Sequence, residues 1–333
     1  MGDVAMTIPV LYAVAEANPN DSFSILTQKL LIPLFINRPP NINVMGVDTK
    51  ATEKSFFGFL GYVLKLKRYQ FDMALDLHGV IRSRIVDIIF HIHGKKVFII
   101  DKRRAERKRL VARPPKIIHP LRAATDCYAD VFRNAGFCFE ESFVSLFAGH
   151  TENREETAAI FGVKKGRWIG IAPFAKHQGK IYPVEKMERV VQLLSEQENL
   201  TIFLFGSRGE EERMLSTWEM KYKNTVSVAG KYALDKELAL ISVLDVLLSM
   251  DSANMHLASL VGTNVISVWG ATHPYAGFYG YRQRADLAIQ TDLPCRPCSI
   301  YGKKTCFRGD RACMNLITPE QIIHKINNYL QAL

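Results

Sequence analysis

The sequence predicts an α/β protein made of two doubly wound domains, each a parallel sheet with helices on its faces. Three observations point there. Short apolar runs alternate along the chain with segments whose apolar residues recur at helical spacing. The runs end in small polar or glycine turns, as strands do where they hand over to helices. At 333 residues the chain is long for one core and comfortable for two. The expected domains are 1–150 and 151–333, facing each other across a cleft.

The most informative stretch is Ser249-Met250-Asp251-Ser252-Ala253-Asn254-Met255-His256-Leu257-Ala258-Ser259-Leu260-Val261-Gly262. Before it, Val243-Leu244-Asp245-Val246-Leu247-Leu248 reads as a buried strand. Asp251 or Ser252 can cap a short buried helix, which stops at Gly262. A second strand, Val265-Ile266-Ser267-Val268-Trp269, follows. In a parallel sheet such a turn lies at the carboxyl ends of the strands, where ligands bind. Helix N–H groups and the helix dipole favour an anion there, most often a phosphate.

In chain order, residues 1–17 predict a helix, with Pro9 tolerable only in its first turns. A strand is expected over 23–26, a helix over 51–66, a strand over 71–77 and a helix carrying Ile81, Ile85, Ile88 and Ile89. Residues 97–100 form a further strand before a basic loop, and 119–135 a helix. A doubly wound domain normally opens with a strand, and none precedes Gly2-Asp3 here. Residues 140–166, with a charged helix over 152–161, read as the interdomain region. The second domain opens with a strand over 168–173 and continues with the turn that carries Lys180. A helix follows, with Met187, Val190, Val191 and Leu194 as its buried stripe. Strands over 201–205 and 226–228 flank a helix opened by Glu210-Glu211-Glu212, whose charges suit its dipole. A helix over 234–244 leads into the stretch above. Thr318-Pro319-Glu320 opens a capped terminal helix.

Composition is that of an ordinary soluble chain, 48% hydrophobic and 23% charged. No apolar run reaches the roughly 20 residues of a membrane span. The first residues show no basic region of a signal peptide, so a cytoplasmic address is expected. The net charge is +10, and it is concentrated. Between Lys95 and Arg122 stand eleven Lys and Arg residues against Asp101 and Glu106. Such a segment suits a polyanion or an anionic membrane surface, or is simply a solvated loop. Four of the six cysteines, Cys295, Cys298, Cys306 and Cys313, sit in one loop. In a cytosolic chain they read as reduced thiols or as a tetrahedral zinc site.

There is no Gly-x-Gly-x-x-Gly, no Walker A loop and no Asp-x-Asp pair. A dinucleotide enzyme, a P-loop kinase and a transferase with a metal-chelated nucleotide each lack their phosphate cradle. Lys180, Gly206, Glu210 and the turn 251–256 instead suit a nucleotide diphosphate whose departure is stabilised by a lysine and helix N–H groups.

These residues bring a resemblance. Asp251-Ser252-Ala253-Asn254-Met255-His256-Leu257-Ala258 resembles the Asp-Ser/Thr-Gly-x-x-His-Leu-Ala motif of glycosyltransferase family 9, the ADP-heptose:lipopolysaccharide heptosyltransferases. Gly2-Asp3-Val4-Ala5 resembles that family's first motif, and Asp76-Leu77-His78-Gly79 its Asp-Leu-Gln/His-Gly segment. Lys180-Ile181-Tyr182-Pro183 is similar to Lys-x-Trp-Pro, and Ala229-Gly230-Lys231 to the Gly-Lys turn. Trp269-Gly270-Ala271-Thr272-His273-Pro274 is similar to Phe-Gly-Pro-Thr-x-Pro, and the six occur in the family's order.

The resemblance implies a GT-B-like fold and an inverting, metal-independent transfer of heptose from ADP-heptose to a lipopolysaccharide core acceptor, without a cofactor. Asp3 would be the general base. Gly2 would let the backbone approach the donor, Lys180 would neutralise the departing diphosphate and Asp251 would bind the sugar. Ser252, Ala253, Asn254 and His256 would present the helix N-terminus to the phosphates, and Glu210 would accept ribose hydroxyls. His78 and Arg82 would meet the acceptor. The partners expected are the nucleotide sugar, a lipid-linked anionic oligosaccharide and the inner face of the inner membrane, with no nucleic acid. Two departures stand out: the absent first strand, and Ala253 in place of glycine, which would keep the backbone farther from the phosphates. The alternatives are a transferase for another nucleotide sugar, or a non-catalytic relative that binds anionic lipid or nucleic acid through the basic segment.

Overall fold

A computed structural model of the chain describes residues 1–48, 56–150 and 152–333. Its contacts divide the chain into two compact units. One holds Asp3–Arg104 and Arg122–Phe143, with Met1; the other holds Ala105–Leu121 and Val144–Leu333, with Gly2.

In the first unit, helix α1 (Gly2–Ala17) is buried on nearly every side from Ala5 to Ala15, which suits its nearly unbroken apolar sequence. Pro9 lies inside it rather than in the first turn. Strand β1 (Phe23–Gln28) runs parallel to β2 (Ile42–Val47), a strand the sequence pattern did not reveal. Helix α2 spans Phe56–Lys65; the start of the helix expected over 51–66 lies outside the described residues. Strand β3 (Met73–Asp76) crosses over through α3 (Ile81–Ile92) to parallel β4 (Lys96–Ile99). Among the described residues no strand joins the pair β1–β2 to the pair β3–β4.

The segment expected to be a basic loop contains a helix, α4 (Arg104–Leu110). The helix expected over 119–135 is shorter: α5 spans Ala124–Asn134. Pro120 disfavours helical backbone at His119, and Leu121 donates its N–H to the Tyr275 carbonyl instead (2.9 Å).

In the second unit, α6 (Glu152–Phe161) precedes β5 (Arg167–Ala172) and α7 (Val184–Ser195). Then come β6 (Leu200–Leu204), α8 (Glu210–Lys221), β7 (Thr225–Ser227) and α9 (Leu234–Val243). Strand β8 (Val246–Met250), α10 (Ala253–Leu260), β9 (Val265–Trp269), β10 (Ala288–Gln290), α11 (Ala312–Asn315) and α12 (Pro319–Gln331) complete it. The six strands form one parallel sheet in the order β10-β9-β8-β5-β6-β7. Counted within the unit this is 3-2-1-4-5-6, a doubly wound arrangement whose strand order reverses between β5 and β8. Strands β8 and β9 are buried at every position, as expected of strands covered on both faces.

The strand predicted from Val243 starts later. Val243 ends α9, and its carbonyl accepts the Lys164 ammonium (2.8 Å). Asp245 is not a strand residue. Its carboxylate accepts the Trp168 N–H (2.7 Å) and pairs with Lys164 (2.8 Å) and Arg167 (3.2 Å), pinning the start of β5. The predicted stripe Met187, Val190, Val191 and Leu194 is fully buried and lies in one core cluster with Ile322 and Ile326 of α12. No helix among the described residues is long and apolar enough to cross a membrane.

Candidate functional site

The strands on either side of the order reversal end in the two segments singled out from sequence. A doubly wound sheet binds ligands outside the carboxyl ends of its strands at that point. β5 runs out toward the 3-10 turn Gln178–Lys180, and β8 into Asp251. Lys180 Nζ stands 2.8 Å from Asp251 Oδ2, with the two side chains 17% and 4% exposed. The structure therefore joins a lysine and an aspartate that lie far apart in sequence. Removing either partner would leave a desolvated charge.

Ser252 is the N-cap of α10 in extended backbone, but its side chain makes no capping hydrogen bond. The expected side-chain cap is not formed; Ser252 Oγ lies 3.2 Å from Ser249 Oγ instead. The first-turn N–H groups of α10 are thus not taken up by their own cap, and they carry the positive end of the dipole. Ala253 and Asn254 are half-buried and His256 is buried in the same helix. Because Ala253 already sits in helical backbone, it needs no glycine conformation.

Around the same edge of the sheet, Glu210 opens α8 and is exposed. Its neighbours turn back on the loop: Glu211 accepts the Ser207 N–H (2.7 Å) and Glu212 the Gly209 N–H (3.1 Å). Glu237, in the first turn of α9, was not anticipated. Burial pushes its carboxyl up to about 7. Just past β9 the Thr272 hydroxyl is buried with no hydrogen-bond partner among the described residues. Burial, and then the Arg296 charge, pushes the His273 ring down to about 4, so it is neutral near pH 7. Its Nδ1 accepts the Tyr275 N–H (3.1 Å).

Arg296 itself was missed. It is 2% exposed and donates to the carbonyls of Gly270 (2.6 Å), Thr291 (2.5 Å) and Thr272 (3.0 Å) and to Gln290 Oε1 (3.2 Å). An arginine between two cysteines carried no signal for this role, and a helical glutamate such as Glu237 reads like any surface acid.

Gly2 and Asp3 open α1, and Asp3, in the first unit, is exposed in its first turn. His78 and Arg82 are also exposed, at the end of β3 and the start of α3. The loop between them is held by Asp76. Its Oδ1 accepts the N–H groups of His78 and Gly79 (both 2.8 Å), and its Oδ2 accepts the Ser83 hydroxyl (2.7 Å). The Asp-Leu-His-Gly segment thus owes its shape to the aspartate.

Cys295, Cys298, Cys306 and Cys313 line one cavity of the second unit. Among the described residues no three or more His, Cys, Asp or Glu side chains are arranged to hold a metal ion. Burial raises the Cys298 thiol, and pushes that of Cys313 up to about 11, so both are held as thiols. The basic segment is more committed than its sequence suggested. Arg107 donates to the Tyr301 hydroxyl (3.2 Å) and lies over the Phe278 ring (4.5 Å). Lys116 donates to the carbonyls of Cys295 (3.1 Å) and Pro297 (2.5 Å). In the first unit, Arg122 pairs with Asp130 (2.7 Å). Lys96, Lys108 and Arg109 remain exposed.

The family model described as glycosyltransferase family 9 (heptosyltransferase) matches residues 62–306. Lipooligosaccharide heptosyltransferase 2 of Campylobacter jejuni subsp. jejuni is 22% identical over 331 residues, 98% of this chain and 95% of that protein. Lipopolysaccharide core heptosyltransferase OpsX of Haemophilus influenzae is 25% identical over 82% of this chain and 77% of its own length. Among solved structures, the glycosyl transferase family 9 protein of Veillonella parvula superposes with a TM-score of 0.73 at 17% identity, covering 100% of this chain and 95% of that one. The ADP-heptose lps heptosyltransferase II of E. coli gives 0.68 at 16% identity, covering 99% and 96%. These likenesses establish the fold as that of the GT-B heptosyltransferases.

Proposed function

The chain belongs to glycosyltransferase family 9, the heptosyltransferases, and from that premise we propose that it moves heptose from ADP-heptose to an anionic saccharide of the lipopolysaccharide core. The observation that carries this reading is the Lys180–Asp251 pair at the reversal of the strand order. An ammonium there can neutralise the diphosphate as it leaves, while the first turn of α10 offers N–H groups to its oxygens. Asp251 accepts hydroxyls of the sugar, and Glu210 those of the ribose. The reaction inverts the anomeric centre and needs no metal, because charge on the leaving group is met by Lys180 and the helix dipole. Asp3 takes the proton of the acceptor hydroxyl, and His78 and Arg82 bind the acceptor. The protein works at the inner face of the inner membrane, with Lys96, Lys108 and Arg109 available to anionic headgroups.

The test is release of ADP from ADP-heptose by the purified chain with a Kdo–lipid A acceptor. Turnover should persist in EDTA, and the product linkage should be inverted by NMR. Lys180→Ala should weaken ADP binding by about 10- to 100-fold, the worth of one charged hydrogen bond, as read by calorimetry. Unchanged ADP affinity in that variant would remove the lysine from the donor site.

A further inference from the structure

The loop from β10 to α11 carries Cys295, Cys298 and Cys306, and α11 itself carries Cys313; with the turn at Lys176–Gly179 they surround a cavity of about 580 Å³. That is the size of a small-ligand site. Its wall carries Lys176, His177, Lys303, Lys304, Arg308 and Arg311. Among the described residues the one carboxylate in the wall, Asp310, is already engaged by Arg308 (2.8 Å) and by the Ala312 N–H (3.1 Å). Two further cations lie at this loop, Arg296 in the wall and Lys116 against its backbone, and their hydrogen bonds go to neutral oxygens. The crowding is felt by the groups themselves. After burial, the nearby charges of Lys303, Lys180 and Lys176 hold His177 below the ordinary imidazole range. Lys116 is held down by burial and by Arg296 and Lys304, against the pull of neighbouring thiols. A concave wall of one sign attracts a ligand of the other.

The cavity is separate from the donor groups, since neither Lys180 nor Asp251 lines it. Yet it adjoins them. Gly179 donates to the Gly302 carbonyl (3.2 Å), and a Cβ on Gly302, whose φ is +72°, would lie 2.7 Å from Lys180 Cγ. Only glycine allows the loop to rest on the lysine stem. Phe307, 55% exposed in the wall, offers an apolar face of the kind that packs on a sugar ring.

We propose that this cavity is an oxyanion subsite that holds a phosphate or carboxylate borne on a saccharide, beside but distinct from the nucleotide-sugar site. The inference deepens the transferase reading, because the saccharide it would hold is the acceptor.

The four cysteines make the proposal testable without turnover. Alkylation by neutral N-ethylmaleimide, mapped by mass spectrometry, reads occupancy at Cys295 and Cys306, with the exposed Cys138 as internal reference. Glucose 6-phosphate or glucuronate at millimolar concentration should slow labelling of Cys306 at least fivefold, the two probes separating phosphate from carboxylate. Glucose should not slow it. Lys303→Ala/Lys304→Ala should lose that protection while keeping the melting temperature of the parent chain. Equal protection by glucose, protection by ADP but by neither anionic sugar, or thiols that react only after a chelator is added would each overturn the proposal. An absent transferase activity would leave the labelling result standing, so the two readings fail separately.

Discussion

Arg296 illustrates how much a single side chain can organise. It is a cation buried against four neutral oxygens, and three of them are main-chain carbonyls at the ends of β9 and β10. Replacing it takes the partner from those carbonyls, and Gly270 and Thr272 are buried. Arg296→Met should therefore lower the unfolding free energy by about 3 kcal/mol or more, measured by urea denaturation. Lys180, Asp251 and the α10 residues were visible in the sequence because small polar residues interrupt two apolar runs there. Arg296 and Glu237 were not, for a physical reason. Their roles depend on what the fold buries around them, and a residue's own chemistry says nothing of that.

At the scale of elements, legibility followed periodicity. Helix α7 and helix α12 were readable because one apolar stripe alternates with charge. The cap of α12 was readable too: Thr318 Oγ1 accepts the Gln321 N–H (3.2 Å) and Gln321 Oε1 accepts the Thr318 N–H (2.9 Å), a closed capping box. Thr318→Ala should cost about 1 kcal/mol, seen as a lower thermal midpoint with little effect on ADP binding. Helix α4 escaped because its residues are mostly basic and carry no stripe. The early end of α9 escaped because the Lys164–Val243 contact that stops it is supplied from elsewhere in the chain. Strand β2 hid in a stretch where Asn43 and Gly46 break the apolar alternation.

For the molecule as a whole, buried carboxyls set a pH dependence with a definite sign. Glu237 titrates at about 7 in the folded chain, against an ordinary value of 4.5. The unfolded chain gives up this proton first, so the stabilisation is full below 4.5 and is lost as pH rises through 7. Asp87, also raised to about 7 by burial and by the nearby Asp76, acts in the same direction. His273 acts oppositely: folded at about 4 against 6.5, it withdraws stability as pH falls from 6.5 through 4. Melting temperature should therefore decline between about pH 5 and 7.5, and Glu237→Gln should flatten part of that decline. A decline as steep in the variant as in the parent chain would remove Glu237 from this role.

The path of the backbone has one more outcome. Residues Ala105–Leu121 are counted with the second unit while the segments on either side of them belong to the first. A protease nick or a gene split after Phe143 would therefore not liberate two independent folders. The N-terminal piece would trail a cationic ribbon whose anchors, the Phe278 ring and the carbonyls of Tyr275, Cys295 and Pro297, had been left on the other polypeptide. Expressed alone, fragment 1–143 should precipitate or cling to polyanions; produced together with 144–333, it should co-purify as a non-covalent pair.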